Sequence, residues 1–154
     1  MPSRSYILQS AYIDKIKECD GFGLRRDETI EWEIIHMISS ARNAFILAEE
    51  RGIDPDFAAC ACTVHDFGRV LTGAQAGHAE AGYEPVKIFL KDLAIFSEDE
   101  IEHIALAVKN HSNKGEKGSP VEEIVKDADI LDMYMFNMEL PRKEQRNRLE
   151  KLRG

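Results

Sequence analysis

Apolar residues recur every three or four positions along most of the chain, which is the spacing of one face of an α-helix. No segment shows the strict alternation of apolar and polar residues that is typical of a half-buried strand. Asp27 is predicted to cap the second helix, Gly52 to close it, and Asp54-Pro55 to begin the next. The predicted helices cover residues 5–17, 28–51, 55–68, 76–90, 97–111, 121–137 and 141–153. The pattern therefore predicts an all-α fold.

The composition favours one folded domain. The chain has 154 residues, of which 44% are hydrophobic and 31% charged, and this excludes a disordered or fibrous protein. We expect a bundle of six to seven helices over residues 1–154, with its motif-bearing core at about 30–135, an N-terminal helix at 5–17 and a basic C-terminal helix at 141–153.

The cysteines and the apolar runs predict a cytoplasmic protein. Cys19, Cys60 and Cys62 are odd in number and closely spaced, which favours reduced thiols over a disulfide framework. Cys60 and Cys62 lie in an apolar helix and are interpreted as core residues rather than metal ligands. No apolar run approaches the roughly 20 residues of a membrane span, and the N-terminus lacks the apolar block of a signal peptide.

The charge is acidic overall and basic at the C-terminus. A net charge of −8 argues against large nucleic acids as partners, while the short apolar runs argue against a membrane. Residues 141–154 reverse the sign, since they hold six lysines and arginines against Glu144 and Glu150. We interpret them as a solvated helix that docks on an acidic body.

Two histidines and two aspartates lie where helices can bring them together. His65-Asp66 ends an apolar helix, and burial of such a pair costs free energy unless a partner, for example a metal ion, compensates. His36 lies on a second apolar helix and Asp129 beside an apolar stripe on a third. Imidazole and carboxylate ligands suit divalent first-row transition metals, and a small helical bundle allows the three helices to converge.

These residues resemble the HD-domain superfamily of metal-dependent phosphohydrolases, whose pattern is His…His-Asp…Asp. In this chain the pattern falls on His36, His65-Asp66 and Asp129, and the segment Ala128-Asp129-Ile130-Leu131 is similar to the family's Ala-Asp-x-Leu. The resemblance covers about residues 30 to 135. It implies an HD-like helical bundle that binds one or two divalent transition metals (Fe, Mn, Co, Ni or Zn).

Two further histidines are candidates for a second metal ion. His78 lies among small residues on one helix face, and His111 ends an apolar stripe at helical spacing. In HD proteins with two metals, histidines at similar places bind the second ion. The resemblance then implies that Asp66 joins both ions and that His36, His65 and Asp129 hold the first. In the alternative, one metal is bound, and His78 and His111 contact the substrate phosphate.

The expected chemistry is attack of metal-activated water on a phosphorus atom. Asp66, Arg69 and Lys109 are the candidate catalytic residues, because both cations lie near predicted ligands along the chain and can offset phosphoryl charge. Lys114 and Lys117 lie in a loop that could close over the site, but their interpretation as solvated surface lysines is favoured for each of them.

The predicted partner is a small phosphorylated substrate, with a nucleotide or dinucleotide favoured, and a homodimer is left open. Some HD proteins with this histidine pattern are similar to hydrolases of diadenosine tetraphosphate. Two alternatives stand beside this hypothesis: a di-iron oxygenase of HD type, and a metal-binding regulatory module without turnover.

Overall fold

Nine helical segments make up the structure, a computed structural model that describes residues 1–154. Seven have nine residues or more, whereas α4 and α5 have six and four. The predicted all-α fold is confirmed, with two short helices added. The helices are α1 Arg4–Asp20, α2 Ile30–Glu50, α3 Pro55–Thr63, α4 Phe67–Thr72, α5 His78–Ala81, α6 Tyr83–Leu93, α7 Glu98–Asn110, α8 Pro120–Met135 and α9 Lys143–Arg153.

Several helix starts follow their local sequence. Ser97 and Glu100 form a reciprocal capping box at the start of α7, as the sequence predicts. The predicted cap at Asp27 is wrong, because the Thr29 hydroxyl accepts the Trp32 N–H at 3.1 Å and begins α2. The Asp27 carboxylate instead accepts the backbone N–H of Gln75 at 2.8 Å. It therefore joins the segment before α2 to the segment before α5.

The helix predicted over 76–90 divides into α5 and α6 at Gly82. A Cβ atom at Gly68 would lie 1.9 Å from the His78 carbonyl oxygen and 2.7 Å from the Gly82 nitrogen. The backbones of α4 and α5 are therefore in direct contact, which only glycine allows at this point. This contact fixes the position of α5 against α4.

Helix α3 lies at the centre of the core. It contacts α1, α2, α7 and α8, and all its residues from Ala58 to Thr63 are buried. Its small side chains let the neighbouring helices approach closely, and Leu8, Tyr12 and Ile16 of α1 complete the packing on one side. Cys60 and Cys62 are buried free thiols here, which confirms their interpretation as core residues.

Helix α9 docks on α8 through charge. Arg148 donates hydrogen bonds to Glu123 at 2.7 Å and to Asp127 at 3.0 Å, so the basic helix does lie against acidic residues. The same guanidinium donates to the Lys114 carbonyl at 2.8 Å and thereby holds the loop between α7 and α8. None of the helices combines the length and the apolar character that crossing a membrane requires.

Candidate metal centre

The six predicted ligands lie together in the structure. His36 faces inward from α2, His65 and Asp66 occupy the turn between α3 and α4, and Asp129 lies on α8. His78 is the first residue of α5 and His111 follows the end of α7. Ligand atoms from these residues lie within 4.8 Å of one another in three overlapping groups: His36, His65 and Asp66; His65, His111 and Asp129; and Asp66, His78 and His111.

The four histidine rings are all fixed through Nδ1. In His65, His78 and His111 this nitrogen lies against a backbone carbonyl and therefore donates its proton. In His36 it lies 2.6 Å from Oδ2 of Asp132, which accepts in the same way. The neutral form of each ring then carries a bare lone pair on Nε2, which is the form that binds a metal.

These Nε2 atoms face one another in two close pairs. His36 Nε2 lies 3.1 Å from His65 Nε2, and His78 Nε2 lies 3.0 Å from His111 Nε2. Two bare lone pairs at this distance repel each other unless a proton or a cation lies between them. The donor set therefore fits a bound metal cation near each pair.

Asp66 lies between the two histidine pairs. Its Oδ2 atom is 3.3 Å from His36 Nε2 and 3.2 Å from His65 Nε2. Its Oδ1 atom is 3.0 Å from His78 Nε2 and 3.3 Å from His111 Nε2. One carboxylate oxygen thus faces each pair, which is the arrangement expected of a bridging ligand.

The two carboxylate oxygens of Asp129 contact different partners, a histidine and a lysine. Oδ1 lies 3.0 Å from His36 Nε2, and Oδ2 accepts a hydrogen bond from Lys114 Nζ at 2.7 Å. Lys114 is only 5% exposed and also donates to the His111 carbonyl, so its interpretation as a solvated surface lysine is wrong. The loop turns this side chain inward because Arg148 binds its carbonyl.

The surroundings keep both carboxylates ionised. Burial alone raises the pKa of Asp66, but Arg69 and His65 outweigh burial and hold that pKa well below its usual value. Burial likewise opposes ionisation of Asp129, and Lys114 and His36 lower its pKa well below the usual value. Both side chains therefore offer charged oxygens at neutral pH.

The pKa values of His36 and His111 shift in opposite directions, although both side chains are buried. Burial lowers the pKa of His36, but hydrogen bonds to Asp129, Asp132 and Asp66 outweigh it and raise the pKa well above its usual value. In His111 burial prevails and lowers the pKa to about 4. Positive charge is thus favoured at the His36 side of the centre, where the carboxylates converge.

The two predicted catalytic cations lie in different places. Arg69 belongs to the centre, since its guanidinium donates to Asp66 Oδ2 at 2.7 Å and to Glu33 Oε1 at 2.6 Å. Lys109 is exposed, with its amine 5.0 Å from the centre of the Tyr83 ring, and it makes no polar contact with the predicted ligands.

Sequence reasoning missed the roles of two residues that support the centre, and it favoured a solvated position for a third, Lys114. Glu33 holds Arg69, Asp132 orients His36, and Lys114 binds Asp129. For the first two a signal was available, because Glu33 and Asp132 lie one helical turn from His36 and Asp129 and so share their faces. Lys114 comes from a loop, where spacing carries no such signal.

The centre opens into a small cavity of about 110 Å³. His36, Asp66, His78, His111 and Asp129 all line it, so the metal-binding atoms face a space that another molecule can enter. This openness is typical of catalytic metal sites, whereas structural sites are closed. Trp32 also lines the cavity and stacks on His36 at 4.9 Å between ring centres.

Comparison with known proteins places these residues in a family. The family model for the HD domain matches residues 34–134. Ribonuclease Y of Chlorobium luteolum is 30% identical over 98 residues, which are 64% of this chain but only 17% of that protein. A crystal structure of a predicted HD superfamily hydrolase from an uncultured Thermotogales bacterium shares the fold, with a TM-score of 0.61 and 22% identity over 91% of this chain and 84% of the other. Since the family model covers more than half of the chain and includes all six predicted ligands, the chain belongs to the HD domain family.

Proposed function

We propose that this protein is a metal-dependent phosphohydrolase that cleaves a small phosphoester, with a nucleotide or dinucleotide as the favoured substrate. Membership of the HD domain family supports the general activity. The observation that carries the proposal is the pairing of four histidine Nε2 atoms around one carboxylate, at 3.1 Å and 3.0 Å within the pairs. Such a donor set fits divalent metal ions beside an open cavity.

The assignment of ligands follows the two histidine pairs. His36, His65 and Asp129 would hold one ion, His78 and His111 the other, and Asp66 both. When bound, divalent metals polarise a phosphoryl oxygen and lower the pKa of a bound water molecule.

The chain's own residues orient and charge this site. Arg69 fixes the Asp66 carboxylate, and Lys114 fixes Asp129 by binding Oδ2, which leaves Oδ1 facing His36. The ammonium group of Lys114 and the guanidinium group of Arg69 both line the cavity. There they can offset the negative charge of a phosphoryl group, and their fixed partners mean that little reorganisation is needed.

The acidic net charge of the chain and the cavity of about 110 Å³ at the centre both favour a small substrate. The net charge of −8 weakens association with a long phosphate backbone. One similar protein is named Ribonuclease Y. A short single-stranded RNA is therefore tested as a substrate beside nucleotides and dinucleotides.

The first experiment counts metal ions per chain in the purified protein by elemental analysis. We expect close to two transition metals in the parent protein and loss of metal in His65→Ala and Asp66→Ala, because each removes a ligand from the centre. His103→Ala is the matched control, since His103 is exposed on α7 and outside the cluster. The metal-loaded proteins are then assayed for hydrolysis of nucleotides, dinucleotides and RNA, with inorganic phosphate and the nucleotide products both measured.

Equal metal content in His65→Ala and the parent protein would contradict the ligand assignment. A fully loaded protein that hydrolyses none of these substrates would contradict the hydrolase. Oxygen uptake by the iron-loaded protein, measured in parallel, would then identify the oxygenase alternative.

A further inference from the structure

A second cavity adjoins the metal centre. The cavity at the centre, about 110 Å³, is smaller than the roughly 300 Å³ at which ligand pockets commonly begin. The adjoining cavity measures about 490 Å³. We call them the inner and outer cavities. Six residues line both of them: Gln75, His78, Ser112, Met133, Arg142 and Gln145.

Arg142 is the one residue of these six with a fixed charge. Its guanidinium donates a hydrogen bond to the Ser112 carbonyl at 3.0 Å and lies 3.9 Å from the exposed carboxylate of Glu144. The side chain is 45% exposed, so most of its N–H groups remain accessible from the cavity. A guanidinium group in this state is suited to bidentate binding of a phosphate.

Three other charged residues line the outer cavity. Lys109, Glu80 and Glu139 line the outer cavity alone, and their opposite charges partly cancel. No Phe, Tyr or Trp side chain lines the outer cavity, so it offers no aromatic platform for a nucleobase. The part of a ligand next to the metal centre would therefore meet a cation among polar groups.

Helix α9 holds Arg142 in place at its N-terminal end. The Gln145 side chain accepts the Arg142 backbone N–H at 2.9 Å, and Arg148 fixes the helix to Glu123. Residue 142 lies outside residues 34–134, the part of the chain that the HD family model matches. The segment that carries this cation is thus additional to the part that carries the metal ligands.

We propose that the inner and outer cavities form one cleft, in which Arg142 binds a second phosphoryl group next to the one at the metal centre. This inference rests on the proposed function and, among the nucleotides and dinucleotides that it favours, assigns cleavage to a phosphoanhydride bond, in which two phosphoryl groups share an oxygen atom. Water forms a new bond to the phosphorus at the centre, and the bond from that phosphorus to the shared oxygen breaks. The shared oxygen leaves with the electron pair on the phosphate that Arg142 holds, and the proton of water goes to solvent.

Calorimetry with two non-hydrolysable probes tests this assignment. Methylenediphosphonate carries two phosphoryl groups and methylphosphonate one, and each is titrated into manganese-loaded protein. We expect Arg142→Gln to weaken binding of the diphosphonate about 10-fold or more and that of the monophosphonate by much less, because a charge-assisted contact is lost only in the former. Arg142→Lys retains the charge but not the paired N–H donors of the guanidinium group. Its affinity for the diphosphonate should therefore lie between those of Arg142→Gln and the parent protein.

Lys143→Gln is the control, because Lys143 is the next residue, is exposed and lines neither cavity. It should bind both probes as the parent protein does. If Arg142→Gln weakens both probes by the same factor, or neither of them, the assignment of Arg142 is overturned.

Kinetics separate this inference from the proposed function. If the protein is active, Arg142→Gln should raise KM for pyrophosphate and so lower kcat/KM. The same variant should change kcat/KM for para-nitrophenyl phosphate far less. A parent protein that hydrolyses neither these compounds nor the nucleotides, dinucleotides and RNA tested above contradicts the hydrolase, while the two phosphonate affinities still decide whether Arg142 binds a second phosphoryl group.

Discussion

The residues behind the predicted metal ligands control how the ligand atoms are oriented. Asp132 is 1% exposed, and its Oδ2 atom accepts the proton of His36 Nδ1 at 2.6 Å. This contact fixes the ring so that Nε2 points at Asp66 and Asp129. It also makes the imidazole a stronger donor to a cation, which is the usual effect of a carboxylate behind a ligating histidine.

Replacement of this carboxylate should weaken metal binding without removing a ligand. We expect Asp132→Ala to lower metal affinity about 10- to 100-fold, measured by competition with a chelator of known affinity. Asp132→Asn should lose less, because its amide oxygen can still accept from His36. Asp14→Ala, at an exposed position on α1, is the control. Unchanged affinity in Asp132→Ala would show that the ring needs no such partner.

At the scale of single residues, the sequence predicted which candidate ligands would cluster better than it predicted their supporting partners. The six predicted ligands carry residue types that suit metals and fall in the order of a known family. Lys114 and Glu33 are ordinary charged residues by composition, and their roles arise from contacts with Asp129 and Arg69 across 15 and 36 positions of the chain. Only the folded arrangement of helices produces such contacts.

Among the helices, the contact of α4 with α5 determines where His78 lies. Gly68 and Gly82 let the two backbones meet, since a Cβ atom at Gly82 would lie 2.9 Å from both the Gly68 nitrogen and a methyl group of Val108. The imidazole of His78 extends from the same turn of α5 toward Asp66. Separation of these helices would therefore move a metal ligand.

Gly68→Ala should both destabilise the protein and displace His78. The new methyl group meets the His78 carbonyl at 1.9 Å, and overpacking of this kind costs about 1–3 kcal/mol. We expect a Tm several degrees lower by calorimetry, with loss of part of the bound metal. Gly115→Ala is the matched control, because its Cβ would lie 3.5 Å from the Glu144 side chain, an ordinary contact. Equal Tm values for the two variants would contradict the close packing of α4 on α5.

The long helices could be predicted and the short ones could not. Periodic apolar residues and caps such as Ser97 specify α7 locally, and its predicted range of 97–111 is close to Glu98–Asn110. Helix α4 has six residues, too few to show a period, and the break at Gly82 depends on Gly68 in another helix. Local pattern therefore failed where packing between helices decided the structure.

Across the whole molecule, an ion pair joins the first helix to the seventh. Arg4 donates to both oxygens of Glu100, at 3.0 Å and 2.8 Å, and its guanidinium lies 4.9 Å from the centre of the Phe96 ring. The Arg4 hydrogen bonds, followed by the Ser97 backbone N–H, lower the pKa of Glu100 to about 2. Both side chains are about one-third exposed, so solvent reduces the strength of the pair.

This pair should make part of the stability depend on pH. The pKa of a glutamate in the unfolded chain is about 4.3, so the contribution is complete above about pH 5 and is lost as the pH falls toward 2. We expect Glu100→Gln to lower Tm by a few degrees at pH 7, for a pair contributing about 1 kcal/mol or less, and by progressively less toward pH 2.5. Glu49→Gln, at an exposed position on α2, serves as control. A Tm difference between Glu100→Gln and the parent that stays constant over this range would contradict the lowered pKa.

The burial of all three cysteines gives the molecule a property that is useful in spectroscopy. Cys19, Cys60 and Cys62 are fully buried free thiols, and burial raises the pKa of Cys60 to about 12, so little of it is in the reactive thiolate form. A cysteine introduced at Lys143 would be the one thiol open to a maleimide or a nitroxide label. Distances from such a label to a paramagnetic ion at the histidines would report whether α9 moves when substrate enters, with no native residue of the core replaced.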